Sequence, residues 1–185
     1  MPSLHVLTVL EDWRSEFESD GIIKVRDRRG RGRKDRRFVK KTFLDLAYDL
    51  DLQPVAYGSC RMTFVLDKGH VLKVGFSRFG MRANLRESWA SSVLPTAIHA
   101  VVYAVAPDGL WLVQERVRRF RLDFRTRRAR KLAQAIKQST GQAKIDPHKG
   151  NFGLREDGTV VMLDLEFLGS LQPTEDQTIK RHLFD

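Results

Sequence analysis

Asp146 and Asn151 stand five residues apart in Ile145-Asp-Pro-His-Lys-Gly-Asn-Phe-Gly153, and Asp164 ends the apolar run Val160-Val-Met-Leu-Asp164. Phosphoryl transfer can use such a set. The first Asp can take or orient the proton of an attacking hydroxyl. Asn151 and Asp164 offer hard oxygen ligands for magnesium held against ATP phosphates. The stretch between them reads as strand, Asp157-Gly158 turn and strand, a hairpin that would return Asp164 beside Asn151. The same residues also serve as plain turn and cap chemistry. The hairpin context is what favours the active-site reading.

Such a site needs a cation upstream to hold phosphate. The segment from Ala56 to Gly75 reads as strand, Gly58-Ser59 turn, strand, hairpin turn and strand. Lys73 lies inside the last strand, between Leu72 and Val74. A lysine there needs a partner or ligand, because an unpaired buried charge is costly, unless the strand is an edge and the chain snorkels. Gly58 and Ser59 give the backbone room near phosphate, though a three-glycine pattern is absent.

A helix is expected over Arg82–Val93, with Leu85, Trp89 and Val93 as its apolar stripe and Pro95 ending it. Glu87 is its only acid and a partner for Lys73, or else solvated. Strands are expected over His99–Val105 and Gly109–Glu115, joined by Pro107-Asp108-Gly109. Glu115 begins a linker whose backbone suits adenine.

In this order Gly58, Lys73, Glu87, Asp146, Asn151 and Asp164 resemble the protein-kinase-like superfamily. Within it, the chain is similar to the early serine/threonine protein kinases of podovirus bacteriophages. Their Val-Ile-Lys-Val-Gly-Phe strand is similar to Val71-Leu-Lys-Val-Gly-Phe76, and their Asp-x-His-x-Gly-Asn loop to Asp146-Pro-His-Lys-Gly-Asn151. The resemblance covers roughly residues 53 to 168. It implies an α+β, reduced two-lobed kinase-like fold with a helical N-terminal extension and a truncated large lobe. The implied divisions are 1–52 (extension), 53–115 (small lobe) and 116–185 (large lobe). It also implies that Lys73 binds phosphate, Asp146 is the base, and Asn151 and Asp164 hold magnesium. Gly58, Ser59, Lys73, Glu87 and Glu115 would surround ATP.

The resemblance has departures. Asp164-Leu-Glu166 stands where Asp-Phe-Gly is usual, which is closer to small-molecule phosphotransferases, and Lys144-Ile145 replaces His-Arg. About twenty residues follow Asp164, too few for the peptide-docking segment of ordinary protein kinases. Three functions therefore stay open: a serine/threonine kinase acting on host proteins during phage infection, a non-catalytic kinase-like binder of an acidic host target or nucleic-acid machinery, and a small-molecule phosphotransferase. His148 reads as a brace for its loop, since no second His or Cys lies at ligand spacing.

Composition bounds the rest. The chain has 185 residues, enough for one core arranged as two small lobes. No apolar run is long enough to span a bilayer, and no signal peptide opens the chain. One cysteine, Cys60, excludes an internal disulfide and fits a reducing cytoplasm, that of the bacterial host if the chain is phage-encoded. Net charge is +10 and unevenly spread. Lys24–Lys41 holds eleven basic residues in eighteen, and Arg116–Lys131 nine in sixteen. The first run is expected as a loop between helices Leu4–Ser19 and Phe38–Leu50, the second as a helix start. Arg28, Arg29, Arg31, Arg33, Arg36 and Arg37 would attract an acidic protein or nucleic acid, or simply solubilise the surface. Phe120 and Phe124 lie among the arginines of the second run, but no nucleic-acid motif accompanies them.

Overall fold

The computed structural model describes residues 1–18, 33–58, 60–119, 131–132, 134–135, 138 and 151–165. The protein is α+β, with a mainly antiparallel sheet. Helices α1 (Leu4–Glu18) and α2 (Arg33–Asp49) precede strands β1 (Gln53–Tyr57), β2 (Arg61–Val65) and β3 (His70–Gly75). Helix α3 (Arg78–Val93) leads to β4 (Val102–Val105) and β5 (Trp111–Glu115). Strands β6 (Arg118–Arg119), β7 (Phe152–Leu154) and β8 (Val160–Met162) follow. Residues 131, 132, 134, 135 and 138 are helical.

The first five strands form one sheet in the order β1-β2-β3-β5-β4, every neighbouring pair antiparallel. Strand alternation gives the central strands two different faces. Met62 and Phe64 of β2, Leu72 and Val74 of β3, and Val113 of β5 join one core with Val6 and Leu10 of α1, Phe43 and Leu46 of α2, and Leu50 just after it. The helical residues recur at three- and four-residue spacing, as a buried helix face requires. Arg61, Lys73 and Gln114 alternate with these core residues and lie under α3. In register, Thr63 faces Lys73 and Lys73 faces Leu112. Arg61 and Gln114 therefore flank Lys73, one on each neighbouring strand.

Helix α3 starts at Ser77, whose hydroxyl accepts from the Gly80 amide at 3.2 Å. It begins four residues before the expected Arg82 and ends at Val93, ahead of Pro95. Its buried face is Gly80, Ala83, Asn84, Glu87 and Ala90, whereas Val93 is exposed. The expected Leu85–Trp89–Val93 stripe is thus corrected: the small and polar face packs on the sheet. Small residues permit this close approach. A Cβ at Gly80 would meet the Cys60 carbonyl oxygen at 2.0 Å, and one at Gly75 would meet Gly80 and Met81 backbone at 2.7 Å. Gly109, at φ +78°, turns the chain into β5 against the Met81 carbonyl.

A second sheet, β6-β7-β8, is antiparallel. Ile98 and the end of α3 share a core with Phe152, Met162 and Leu132. Met162 donates to the Ile98 carbonyl at 3.0 Å and accepts from Ala100 at 2.8 Å. These bonds hold β8 and Leu163 beneath α3. His99, expected inside a strand, instead bridges to Met162, so β4 starts only at Val102.

Two further boundaries differ from expectation. Helix α2 begins at Arg33 rather than Phe38, so Arg33, Arg36 and Arg37 are helical rather than loop. Arg118 and Arg119 pair as a strand with Leu154 and Gly153 instead of starting a helix. No described helix is long and apolar enough to cross a membrane.

Candidate functional site

The alternation that buries Leu72 and Val74 turns Lys73 to the opposite face of the central strand. Its Nζ donates to Glu87 Oε1 and to the Leu163 carbonyl, each at 2.7 Å. Lys73 is buried, and burial pushes its ammonium below the usual lysine range, against the opposing pull of the Glu87 carboxylate. One lysine thus ties the five-stranded sheet, α3 and the segment after β8 together.

Glu87 is wholly buried and receives three donors. Lys73 and Gln114 Nε2 share Oε1, the latter at 2.8 Å, and Arg61 Nη1 takes Oε2. A buried carboxylate is tolerable only when its oxygens are satisfied in this way. Asn84, one turn earlier on α3, donates to the Lys73 carbonyl at 3.4 Å and to Gly109 at 2.8 Å. It pins α3 to the strand end, so Glu87 meets Lys73 at a fixed height.

Asp164 reaches this cluster from the second sheet. Its Oδ1 lies 2.9 Å from Arg61 Nη2, and its side chain is about one-fifth exposed. The β7–β8 hairpin returns the chain as its length requires: Leu163 donates to the Asn151 carbonyl at 2.8 Å. Asn151 and Asp164 therefore flank one rung, with Asn151 half-buried. Among the described residues no three His, Cys, Asp or Glu side chains form a metal-holding group. Any divalent ion here would depend on Asp164 and the Asn151 amide oxygen, both hard ligands.

The remaining expected residues fall in different places. Gly58 follows β1, and its amide donates to the Arg61 carbonyl at 2.8 Å. Its backbone is open, since an added Cβ would meet nothing nearer than that carbonyl at 3.7 Å. Glu115 is not turned to the Lys73 cluster. Arg155 grips both its oxygens at 2.6 and 2.7 Å, and the Val101 amide adds a bond at 3.1 Å. Burial raises the Glu115 carboxyl, but Arg155 and that amide outweigh it and leave it below the usual range. The Glu115 amide is also committed, to Val101. Arg33, Arg36 and Arg37 lie on the first turns of α2. Ser59, Asp146, His148, Phe120, Phe124, Glu166, Arg28, Arg29 and Arg31 lie outside the described residues.

Sequence reasoning missed Arg61 and Gln114. The signal was present: a charged and an amide side chain in strands whose neighbours Met62, Phe64 and Val113 are all core. It also missed His99 and Arg155, which brace the junction of the two sheets. His99 donates from Nδ1 to the Pro95 carbonyl at 3.0 Å and accepts at Nε2 from the Ser91 hydroxyl at 2.8 Å. Burial pushes its imidazole below the ordinary histidine range. Arg155 adds a bond to the His99 carbonyl at 3.0 Å.

No protein-family model matches this chain, and no curated protein matches it in sequence.

Proposed function

We propose that this chain is a kinase-like phosphotransferase that binds ATP with magnesium and passes a phosphoryl group to a protein hydroxyl. The observation that carries the reading is the Lys73–Glu87 ion pair, 2.7 Å long, from the third strand to the helix after it. Protein kinases require a pair of this kind, between the lysine of the third strand and a helix glutamate, with a magnesium-binding Asp nearby. Asp164 follows directly on Leu163, whose carbonyl takes the same Lys73 ammonium. In this reading the five-stranded sheet with α3 is the small lobe, and β6–β8 belong to the large lobe.

The chain's own residues divide the work. Lys73, oriented by Glu87, presents an ammonium to phosphate oxygens. The room beside the Gly58 backbone lets a nucleotide approach the end of β1. Asn151 and Asp164 supply oxygen ligands for magnesium, whose chemistry is to neutralise phosphate charge. Asp146 stands five residues before Asn151, as a base orienting the acceptor would. Positioning and charge neutralisation supply the catalysis. The arginine runs would dock an acidic host protein in the bacterial cytoplasm.

One observation favours a second reading. Asp164 is already paired with Arg61, so the charges of the cluster balance among the described residues, which would suit a non-catalytic protein that grips its target through Arg28–Arg37. Incubation with radiolabelled ATP, magnesium and host lysate separates the two. The kinase reading expects labelled protein, reduced at least about a hundredfold by Asp146→Asn, the low end for a general base. Labelling equal in wild type and variant would defeat it, and no labelling would favour the second reading.

A further inference from the structure

Arg61 is a charged site residue that the kinase reading does not use. It is nine-tenths buried, and it is the first residue of β2. Its backbone is held by the β2–β3 ladder and by the Gly58 amide, while its guanidinium reaches two carboxylates on different elements. Nη1 meets Glu87 Oε2 and Nη2 meets Asp164 Oδ1. Lys73 takes the other oxygen of Glu87. Glu87 therefore sets two cationic heads side by side on one face of the sheet. Among the described residues two cations and two carboxylates balance here, and Asp164 is the only one of these four that follows β8.

We propose that Arg61 is a second phosphate-binding residue, which exchanges its Nη2 contact from Asp164 to the phosphates of a bound nucleoside triphosphate. A guanidinium presents its donors as a planar fork that fits phosphate oxygens, and Glu87 keeps one side of that fork fixed. Asp164 repels a triphosphate unless its charge is matched. In the free protein Arg61 provides the match. Once Asp164 serves as a metal ligand, the charge of Arg61 turns to the phosphates instead. The pair thus acts as a latch that opens when nucleotide and divalent ion arrive together. This inference rests on the nucleotide-binding reading above, and it goes beyond it by giving Arg61 a ligand and Asp164 a resting partner.

The test is equilibrium binding of a fluorescent methylanthraniloyl ATP to the full chain, with magnesium and separately with EDTA. With magnesium, Arg61→Gln should weaken binding at least about tenfold, the loss expected for one charge-assisted hydrogen bond. In EDTA, Asp164→Asn should bind several-fold tighter than wild type, because it releases Arg61 as well as removing a repulsion. The double variant Asp164→Asn/Arg61→Gln should lose that gain. A gain kept in the double variant would show repulsion alone and overturn the proposal, as would wild-type affinity in Arg61→Gln. Glu87 keeps Lys73 and Gln114 in Arg61→Gln, so the fold should survive, as circular dichroism can check. If it does not, Arg61→Lys serves: its single ammonium cannot hold two carboxylates and phosphate, so binding should still weaken, and unchanged binding would overturn the latch. Wild type that binds nucleotide only with magnesium, and loses it in Lys73→Met, keeps the nucleotide reading intact whatever Arg61 does. Wild type that binds no nucleotide removes both.

Discussion

Replacing Glu87 by Gln keeps its volume but removes the one carboxylate shared by Lys73, Arg61 and Gln114. Arg61 would keep Asp164, and Lys73 would keep only the Leu163 carbonyl among the contacts described above. Two buried cations would then face each other across a neutral amide. Removing one side of a buried ion pair costs about 3–5 kcal/mol. The surviving Asp164 contact places this case near the lower end, at about 3 kcal/mol. For a domain of this size that is a melting shift of roughly 6–12 °C. Lys73→Met is the internal comparison. It leaves Glu87 with Arg61 and Gln114, so the carboxylate stays paired and the cost should be clearly smaller. Urea unfolding followed by tryptophan fluorescence measures both variants on one scale. Equal losses, or a larger loss in Lys73→Met, would refute the idea that Glu87 is the hub of the cluster.

Other outcomes follow from the same geometry. Gly80→Ala would put a methyl group 2.0 Å from the Cys60 carbonyl, so α3 should shift off the sheet, at a cost of about 1–3 kcal/mol and with loss of ATP binding. Thermal melts with and without nucleotide check it. Gly58→Ala would make only an ordinary contact, 3.7 Å from the Arg61 carbonyl oxygen, so its melting temperature should stay near wild type while nucleotide affinity falls; a large drop in stability would contradict that. His99 carries the lowered imidazole pKa caused by burial, so the unfolded chain binds the extra proton first. Its contribution to stability is complete above the ordinary histidine pKa and declines as pH falls below it, by at most about 1.4 kcal/mol per pH unit. Urea unfolding between pH 7.5 and 5.5 should show this slope, and His99→Gln should flatten it. Neutralising Arg28, Arg29, Arg31 and Arg33 together should spare ATP binding and flatten the salt dependence of target pull-down; an unchanged salt slope would count against a docking role.

The elements that carry local signals were legible in the sequence. The Asp157-Gly158 turn, the Pro107-Asp108-Gly109 turn and the apolar runs beside them predict the hairpins that the structure contains. Lys73 within an apolar strand calls for a partner or a ligand, and Glu87, named as one possible partner, bonds it. The face of α3 was misread because size, not hydrophobicity, decides it. Gly80 and Ala83 let the helix approach the sheet, and Asn84 and Glu87 are buried because their partners wait beneath them. An apolar-stripe rule assumes a helix resting on large side chains and cannot see partners on distant strands. For Arg61 the buried charge was legible but its partners were not, since its two carboxylates come from residues 26 and 103 positions later in the chain. Glu115 sits at the end of β5 as expected, yet its carboxylate belongs to Arg155. Only the fold reveals that pairing, because it joins the two sheets.

The most direct measurement is ATP binding with magnesium by isothermal titration calorimetry, in wild type and in Lys73→Met. The kinase-like account predicts saturable binding by wild type, weakened at least about tenfold when the ammonium is removed, since a charge-assisted hydrogen bond is lost. No heat at millimolar ATP, or equal affinity in the two proteins, would contradict it.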